Sequence, residues 1–394
     1  MKEVFEKARS ILSSLDNEAL ARKREQGKKV VGYPCSYVPE EVLIAAGLVP
    51  HRLRVIAGRG TVKADTYYGP LNCSFVRRIF DQVLGGEYAF LSGVVLANGC
   101  DHARRMYDNW LDARAHSGIG PDFIHPFISP HVTTGNAVSR YIGEVRKLIS
   151  ALEAQFSVKI SVDSLFGAVN LVNKRRELLQ KLEKKRRGPV PALRTSQWIS
   201  LAQAAASLPV EDAVSFLEEA LDRVEGVDAG VAGFVRVMLA GGCADELTHL
   251  ELLEECSVHV VADSTCLGER FADCPVRSDG DPVEAIARRY MEHLPCPRMI
   301  DAFPARTAHV EDAIRERGVE GFVCAKLMFC DLWGGEGFML KKLCQEKDIP
   351  FLQTEREVGG EGLGQLKTRV QAFVETVSNR RKSAPGNGQR AAGF

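Results

Sequence analysis

Residues 88–97 read YAFLSGVVLA, with Gly85 and Gly86 ahead of them and Asn98 and Gly99 behind. An apolar run bounded by turn formers at both ends is the pattern of a strand covered on both faces, as in a parallel sheet. Cys100 follows at once, and from Asp101 the chain takes up a helical period to about Ala115. Upstream, Lys29 to Tyr33 is a second short apolar strand. Pro39, Glu40 and Glu41 then open the helical stretch EEVLIAAGL, where proline and two acids suit a first turn. Residues 1–27, with Val4, Phe5, Ala8, Ile11, Leu12 and Leu15 at helical spacing, predict one amphipathic helix. Strand and helix thus alternate through residues 1–155, which predicts a doubly wound sheet.

Downstream, the period is helical from His131 to about Glu225, so residues 156–228 are expected to form a helical segment. The charge run Lys181–Arg187 within it reads as a solvated helix face rather than a nucleic-acid patch. Alternation returns near Gly233. FVRVMLAG, SVHVVAD, GFVCAKLMF and PFLQTE read as strands; CADELTHLELLEEC, DPVEAIARRYMEHL, a stretch from Asp331 and a last one from about Leu363 to Ser378 read as helices. The expected fold class is α/β: two doubly wound parallel-sheet domains, at 1–155 and 229–379, with the helical segment between them. Residues 380–394, low in apolar content, are expected to be a disordered tail.

Composition narrows the function classes. Over 394 residues, 51 Lys plus Arg balance 51 Asp plus Glu, which leaves no net field to draw nucleic acid or an acidic membrane. The 45% apolar and 26% charged content is that of an ordinary globular chain. MKEVFEKARS has mixed charge and no apolar core, so no secretory signal is expected, and no stretch nears the ~18 apolar residues of a spanning helix. A cytoplasmic location is the expectation. GxxxxGK[ST], HExxH, GxSxG and CxxC are all absent. Gly359, Gly360, Gly362 and Gly364 do not match the dinucleotide fingerprint and read as a loop. His102 and His125 have no carboxylate or nucleophile at a telling spacing.

Eleven cysteines, an odd number in a chain without an export signal, point to reduced thiols rather than disulfides. Cys100 and Cys330 each stand after a strand and before a helix. Cys73 begins the helix CSFVRRIFDQVL, Cys35 leaves the first strand in GYPC, and Cys266 leaves SVHVVAD in STCLGER. In an open parallel sheet, ligands bind beyond the carboxyl ends of strands, and a helix N-terminus favours the thiolate that binds metal. Cys243, Cys256, Cys324 and Cys344 fall at apolar positions and read as core. Thiolates fed from both lobes would suit an iron-sulfur cluster. Zinc stays open, although its structural sites usually draw on closely spaced pairs. A cysteine-rich fold that binds a small ligand and no metal stays open too.

The segments GYPCSYVPEEVLIAAGLVPHRL, LNCSFVRRIF, GCDHARRMYDNW, VVADSTCLGERF and FVCAKLMFCDLWGGE, in this order between about residues 28 and 378, resemble the 2-hydroxyacyl-CoA dehydratase and benzoyl-CoA reductase family. The resemblance implies two α/β lobes of the flavodoxin-like kind that hold a [4Fe-4S] cluster through three cysteines, here Cys73, Cys100 and Cys330. It implies a separate ATP-hydrolysing activator protein that delivers a low-potential electron, and radical (ketyl) chemistry on an acyl-CoA substrate. It also implies a homodimer, or a heterodimer with a related subunit. Cys35, Cys266 and Cys296 are similar to the extra cysteines of a homodimeric branch that holds a double-cubane [8Fe-9S] cluster and reduces small molecules, three thiolates serving each cubane. A non-catalytic partner subunit is a further alternative. Beside the first strand exit, Ser36 and Glu41 are candidate catalytic groups that could hydrogen-bond substrate or an iron-bound water. Glu41 reads equally as a helix start, and Tyr37 as packing. Asp101 and Asp331 read as helix-start residues, and Arg270, Arg104 and Arg105 as candidates to meet CoA phosphates.

Overall fold

The computed structural model describes residues 2–56, 58, 60–242, 247–358 and 362–383. The chain opens with α1 (Lys2–Ser13) and α2 (Glu18–Glu25), followed by β1 (Val30–Tyr33), α3 (Glu40–Ala45), β2 (Val49–Arg52), α4 (Ser74–Leu84), β3 (Gly93–Ala97), α5 (Asp101–Ser117), β4 (Phe123–Phe127) and α6 (Ala137–Phe156). Three helices come next: α7 (Val162–Arg187), α8 (Thr195–Ser207) and α9 (Val210–Arg223). The remainder runs β5 (Val235–Gly241), α10 (Leu247–Glu255), β6 (Val258–Asp263), α11 (Glu269–Ala272), α12 (Pro282–Glu292), α13 (Phe303–Arg317), β7 (Gly321–Leu327), α14 (Asp331–Glu346), β8 (Phe351–Arg356) and α15 (Leu363–Ser383).

The strands form two all-parallel, four-stranded sheets with the same order, β2-β1-β3-β4 and β6-β5-β7-β8. This is the expected pair of doubly wound lobes. In each sheet the winding reverses between the first and third strands, β1/β3 and β5/β7, and the loops there diverge to leave a crevice at the carboxyl ends. Side-chain alternation sends Val31, Tyr33, Val95 and Ala97 towards α3, α6 and α12, and Val30, Val94 and Leu96 towards α4 and α5. In the second sheet Val237, Leu239 and Val323 face α8, α10 and α15, while Met238, Ala240 and Phe322 face α13 and α14. The lobes are interlaced. Helix α12 returns from the second half to cover the first sheet, and α1 packs with the helical segment in the core of the second.

Several expectations need correction. Residues 1–27 are two helices rather than one, because Asn17 caps α2: its Oδ1 accepts the amides of Ala19 and Leu20 at 3.1 Å each. Within YAFLSGVVLA only Gly93–Ala97 is strand. Tyr88 instead anchors the turn before it, its hydroxyl accepting from the Arg54 amide at 2.9 Å and donating to the Arg54 carbonyl at 2.7 Å. The edge strands β2 (VPHR) and β4 (FIHPF) carry polar residues and prolines, which an edge tolerates because one side of its backbone needs no partner. Helix α13 buries only Arg306, Val310 and Ala313, too sparse a stripe to announce itself.

The charge run on α7 is solvated at Lys181 and Lys184 but not at Arg186. Arg186 is fully buried, bonded to Asp263 at 3.1 Å, Glu269 at 3.1 Å and Glu183 at 3.3 Å, with its guanidinium 4.6 Å over the Trp198 ring. It ties the helical segment to the second sheet. Residues 380–383 belong to α15, whereas Cys243, Gly359, Gly360 and residues 384–394 lie outside the described residues. Among the described residues no helix is long and apolar enough to cross a membrane.

Candidate functional site

Cys73, Cys100 and Cys330 occupy the same local position three times: each is the residue immediately before a helix, at the N-termini of α4, α5 and α14. The Ala103 amide donates to Cys100 Sγ at 3.4 Å. Cys330 is aimed by a left-handed backbone at Phe329, φ +63°, a conformation uncommon for an aromatic residue. Cys35 leaves β1, Cys266 leaves β6 and Cys296 follows α12. These six sulfur-bearing residues line one cavity of about 120 Å³ at the carboxyl ends of the two sheets. Part of its wall is apolar, from Phe75, Val76, Met106, Leu327 and Trp333. The backbone passes close at Gly99, where an added Cβ would stand 3.3 Å from Cys35 Sγ.

The electrostatics are set by burial. It pushes the thiols of Cys73 and Cys100 up to about 12, against the opposing pull of the Val76 and Ala103 amides. Burial likewise raises Cys330, and takes Cys296 to about 11 against the pull of Arg270. The helix N-termini therefore act in the expected direction, but more weakly than desolvation. A bound cation would supply the missing positive charge and convert the thiols to ligating thiolates.

Three arginines stand against the same cavity: Arg52, which donates to Ser36, and Arg270 and Arg298. Arg270 gives its Nε to the Leu294 carbonyl at 3.1 Å, Nη2 to the Ser264 carbonyl at 2.8 Å and Nη1 to Cys266 Sγ at 3.7 Å. Arg298 bonds the carbonyls of Gly99 at 3.1 Å and Ser129 at 3.0 Å, and the Ser129 hydroxyl at 3.1 Å, with its guanidinium 4.5 Å over the Tyr37 ring. Arg270 and Arg298 are 1% and 2% exposed, so neither is a surface group that could reach a CoA phosphate, the role the sequence suggests for Arg270. Arg104 and Arg105 are exposed on α5, away from the cavity lining.

Ser36 lines the cavity, accepting from Arg52 Nη1 at 2.9 Å and donating to the Cys266 carbonyl at 3.2 Å. Glu41 does not line it. Its carboxylate is fully buried behind α3, taking Arg176 Nη2 at 2.6 Å on one oxygen and the Tyr290 hydroxyl at 2.9 Å on the other. Both oxygens are thus engaged in joining α3 to α7 and α12, and the helix-start reading of Glu41 agrees with this place. Tyr37 does more than pack, because its hydroxyl accepts the Cys296 amide at 3.3 Å. Arg298 and Arg52 escape a reading of the sequence, since nothing in PCPRM or VPHRL marks which arginine turns inward.

The donor set is all sulfur, which suits soft metals and iron-sulfur clusters. Among the described residues no three His, Cys, Asp or Glu side chains are placed to share one metal ion. A cubane asks for a different arrangement, because each iron takes its own cysteine and the sulfurs stand apart across the group.

Residues 35–377 match the family model of the 2-hydroxyglutaryl-CoA dehydratase D-component. The chain is 24% identical to the (R)-phenyllactyl-CoA dehydratase beta subunit of Clostridium sporogenes, over 95% of this chain and 98% of that protein. It is 24% identical to the (R)-2-hydroxyglutaryl-CoA dehydratase beta subunit of Acidaminococcus fermentans, over 93% and 97%. It is 21% identical to a subunit of the benzoyl-CoA reductase of Thauera aromatica, over 95% and 98%. A repeated doubly wound frame, cysteines at its strand exits and a match over nearly its whole length lead to one conclusion: the chain belongs to the 2-hydroxyglutaryl-CoA dehydratase D-component family.

Proposed function

We propose that this chain is the iron-sulfur subunit of an enzyme of the 2-hydroxyacyl-CoA dehydratase or benzoyl-CoA reductase type, served by a separate ATP-hydrolysing activator. The observation that carries the reading is the convergence of six cysteines, distant in sequence, on one largely buried cavity. Cys73, Cys100 and Cys330 would hold a [4Fe-4S] cluster, which when bound supplies a single low-potential electron to an acyl-CoA. The chain's own residues give that chemistry its setting. Phe75, Val76, Leu327 and Trp333 exclude water, and Ser36, fixed between Arg52 and the Cys266 carbonyl, offers a hydroxyl to whatever enters. At about 120 Å³ the cavity is smaller than the roughly 300–1,000 Å³ of a small-molecule pocket, so only the reacting end of a thioester would approach it.

A second reading has its own support. Because Cys35, Cys266 and Cys296 line the same cavity as the first three, a double-cubane [8Fe-9S] cluster with three thiolates per cubane fits the sulfur count, in a homodimeric reductase of small molecules. The relatives are named as subunits, which supports a partner chain, either related or a second copy. The test is anaerobic reconstitution followed by iron and acid-labile sulfide determination. About four irons per chain support a single cubane and about eight a double one. Negligible metal overturns both readings. Turnover with the activator alone, against turnover only after adding a related second chain, separates the homodimer from the heterodimer.

A further inference from the structure

Beside Arg52, which is bonded to Ser36, two cavity-lining arginines have no part in the proposed function. Arg270 and Arg298 are almost fully buried, and their guanidinium groups are held by carbonyls, a hydroxyl and sulfurs. Among the described residues neither forms an ion pair with a carboxylate. Four other buried arginines here do, Arg175 with Glu40, Arg176 with Glu41, Arg186 with Asp263 and Arg306 with Glu336, whereas Arg289 is held like these two by backbone carbonyls. A buried charge held only by neutral dipoles is expensive, and chains ordinarily relieve it with a counter-ion. Among the described residues that line the cavity, the groups able to become anionic are the cysteines and the Tyr37 hydroxyl, and the latter already accepts the Cys296 amide. Asp263 also acts on Arg270, but less than Cys296 and Cys266 and while bonded to Arg186, so the nearest counter-ions are the thiolates and what they hold.

We infer that Arg270 and Arg298 are fixed counter-charges to an anionic thiolate-held group in this cavity, and that they raise its reduction potential as positioning residues. The inference rests on the reading that the cavity holds an iron-sulfur group. The sign follows from electrostatics: reduction adds one electron and no proton to the group, and a guanidinium, permanently protonated, stabilises the more negative state. Cys266 Sγ is directly against Arg270 at 3.7 Å. Arg298 holds the carbonyl of Gly99, the residue before Cys100, and follows Cys296 by two positions. Each cation therefore braces a cysteine-bearing loop as well as charging it, and the experiment must separate the two roles.

Lysine does this, because it keeps the charge but cannot reproduce the guanidinium fork, whereas glutamine removes the charge. The full-length wild type, Arg298→Gln, Arg298→Lys, Arg270→Gln and Arg270→Lys are reconstituted anaerobically. Iron and sulfide are counted, and the reduced fraction is followed by electron paramagnetic resonance in a mediated redox titration. At fixed potential the glutamine variants are expected to show an about tenfold lower ratio of reduced to oxidised group, equal to about 59 mV for one electron, with the lysine variants near wild type. If the glutamine variants lose iron while the lysine variants keep it, the charge match is likewise supported. Equal shifts or equal iron loss in both, or no shift in either, overturn the inference and leave the arginines as loop braces. A wild type that binds no iron defeats the underlying reading instead, and the iron count reports that first.

Discussion

Replacing Glu41 by glutamine separates the two roles that the sequence leaves open for it. The substitution preserves shape and an oxygen for Arg176, but it takes from the guanidinium of a 2%-exposed residue the one carboxylate bonded to it, leaving Glu40 as a more distant anion. At an effective dielectric near 20, a pair of unit charges about 4 Å apart is worth roughly 4 kcal/mol. Breaking one partner of a buried pair costs about 3–5 kcal/mol by a separate route. Both are large against the ~5–15 kcal/mol that holds a typical domain. Glu41→Gln should therefore unfold at distinctly lower urea concentration, followed by tryptophan fluorescence and far-ultraviolet circular dichroism. A double replacement, Glu41→Leu with Arg176→Met, should recover most of the loss, since it removes both charges together. A Glu41→Gln protein with the wild-type urea midpoint and normal iron content but no turnover would refute the reasoning and return Glu41 to catalysis.

Two further outcomes follow from the geometry. Gly99→Val should keep the fold but lose much of the iron, because its Cβ would already crowd Cys35 Sγ at 3.3 Å; an unchanged iron count would show that the loop yields freely. His51 is buried between Tyr88 and Phe90 with neither ring nitrogen hydrogen-bonded among the described residues, and burial, helped by Arg54, holds its pKa at about 3. Since that lies below the unfolded value of about 6.5, its stability contribution is complete above that pH and is lost as pH falls towards 3. At pH 5 the loss is about 2 kcal/mol, so His51→Phe should lessen the slope of the stability profile between pH 7 and 5, to which the similarly lowered His249, His259 and His293 also contribute; an unchanged slope would rule His51 out as a contributor.

What is legible in the sequence depends on whether a residue's task is local. The central strands β1, β3, β5 and β7 are covered on both faces and so read as apolar runs. The edges β6 and β8 also show, being free of internal proline, whereas Pro50 and Pro126 hide β2 and β4. Cys35, Cys73, Cys100, Cys266 and Cys330 stand out because a strand exit or helix start is a local event. Cys296 follows a helix and is reached through resemblance alone. Glu41 is open to misreading because its partners Arg176 and Tyr290 are 135 and 249 residues away, and no nearby residue betrays them. Arg298 is silent for the same reason: its carbonyl acceptors lie on loops 169 to 200 residues distant.

The return of α12 onto the first sheet bears on how the polypeptide matures. As the nascent chain leaves the ribosome, Val31, Val95 and Phe127 emerge long before Val283, Ile286 and Tyr290, which share their cluster. Roughly 136 residues separate the end of α6 from the end of α12, and at ~5–20 residues per second the sheet waits about 7–27 s for its last cover. For that interval a greasy surface is open to chaperones and to self-association, so expression yield should respond to translation speed through the stretch encoding α7 to α12.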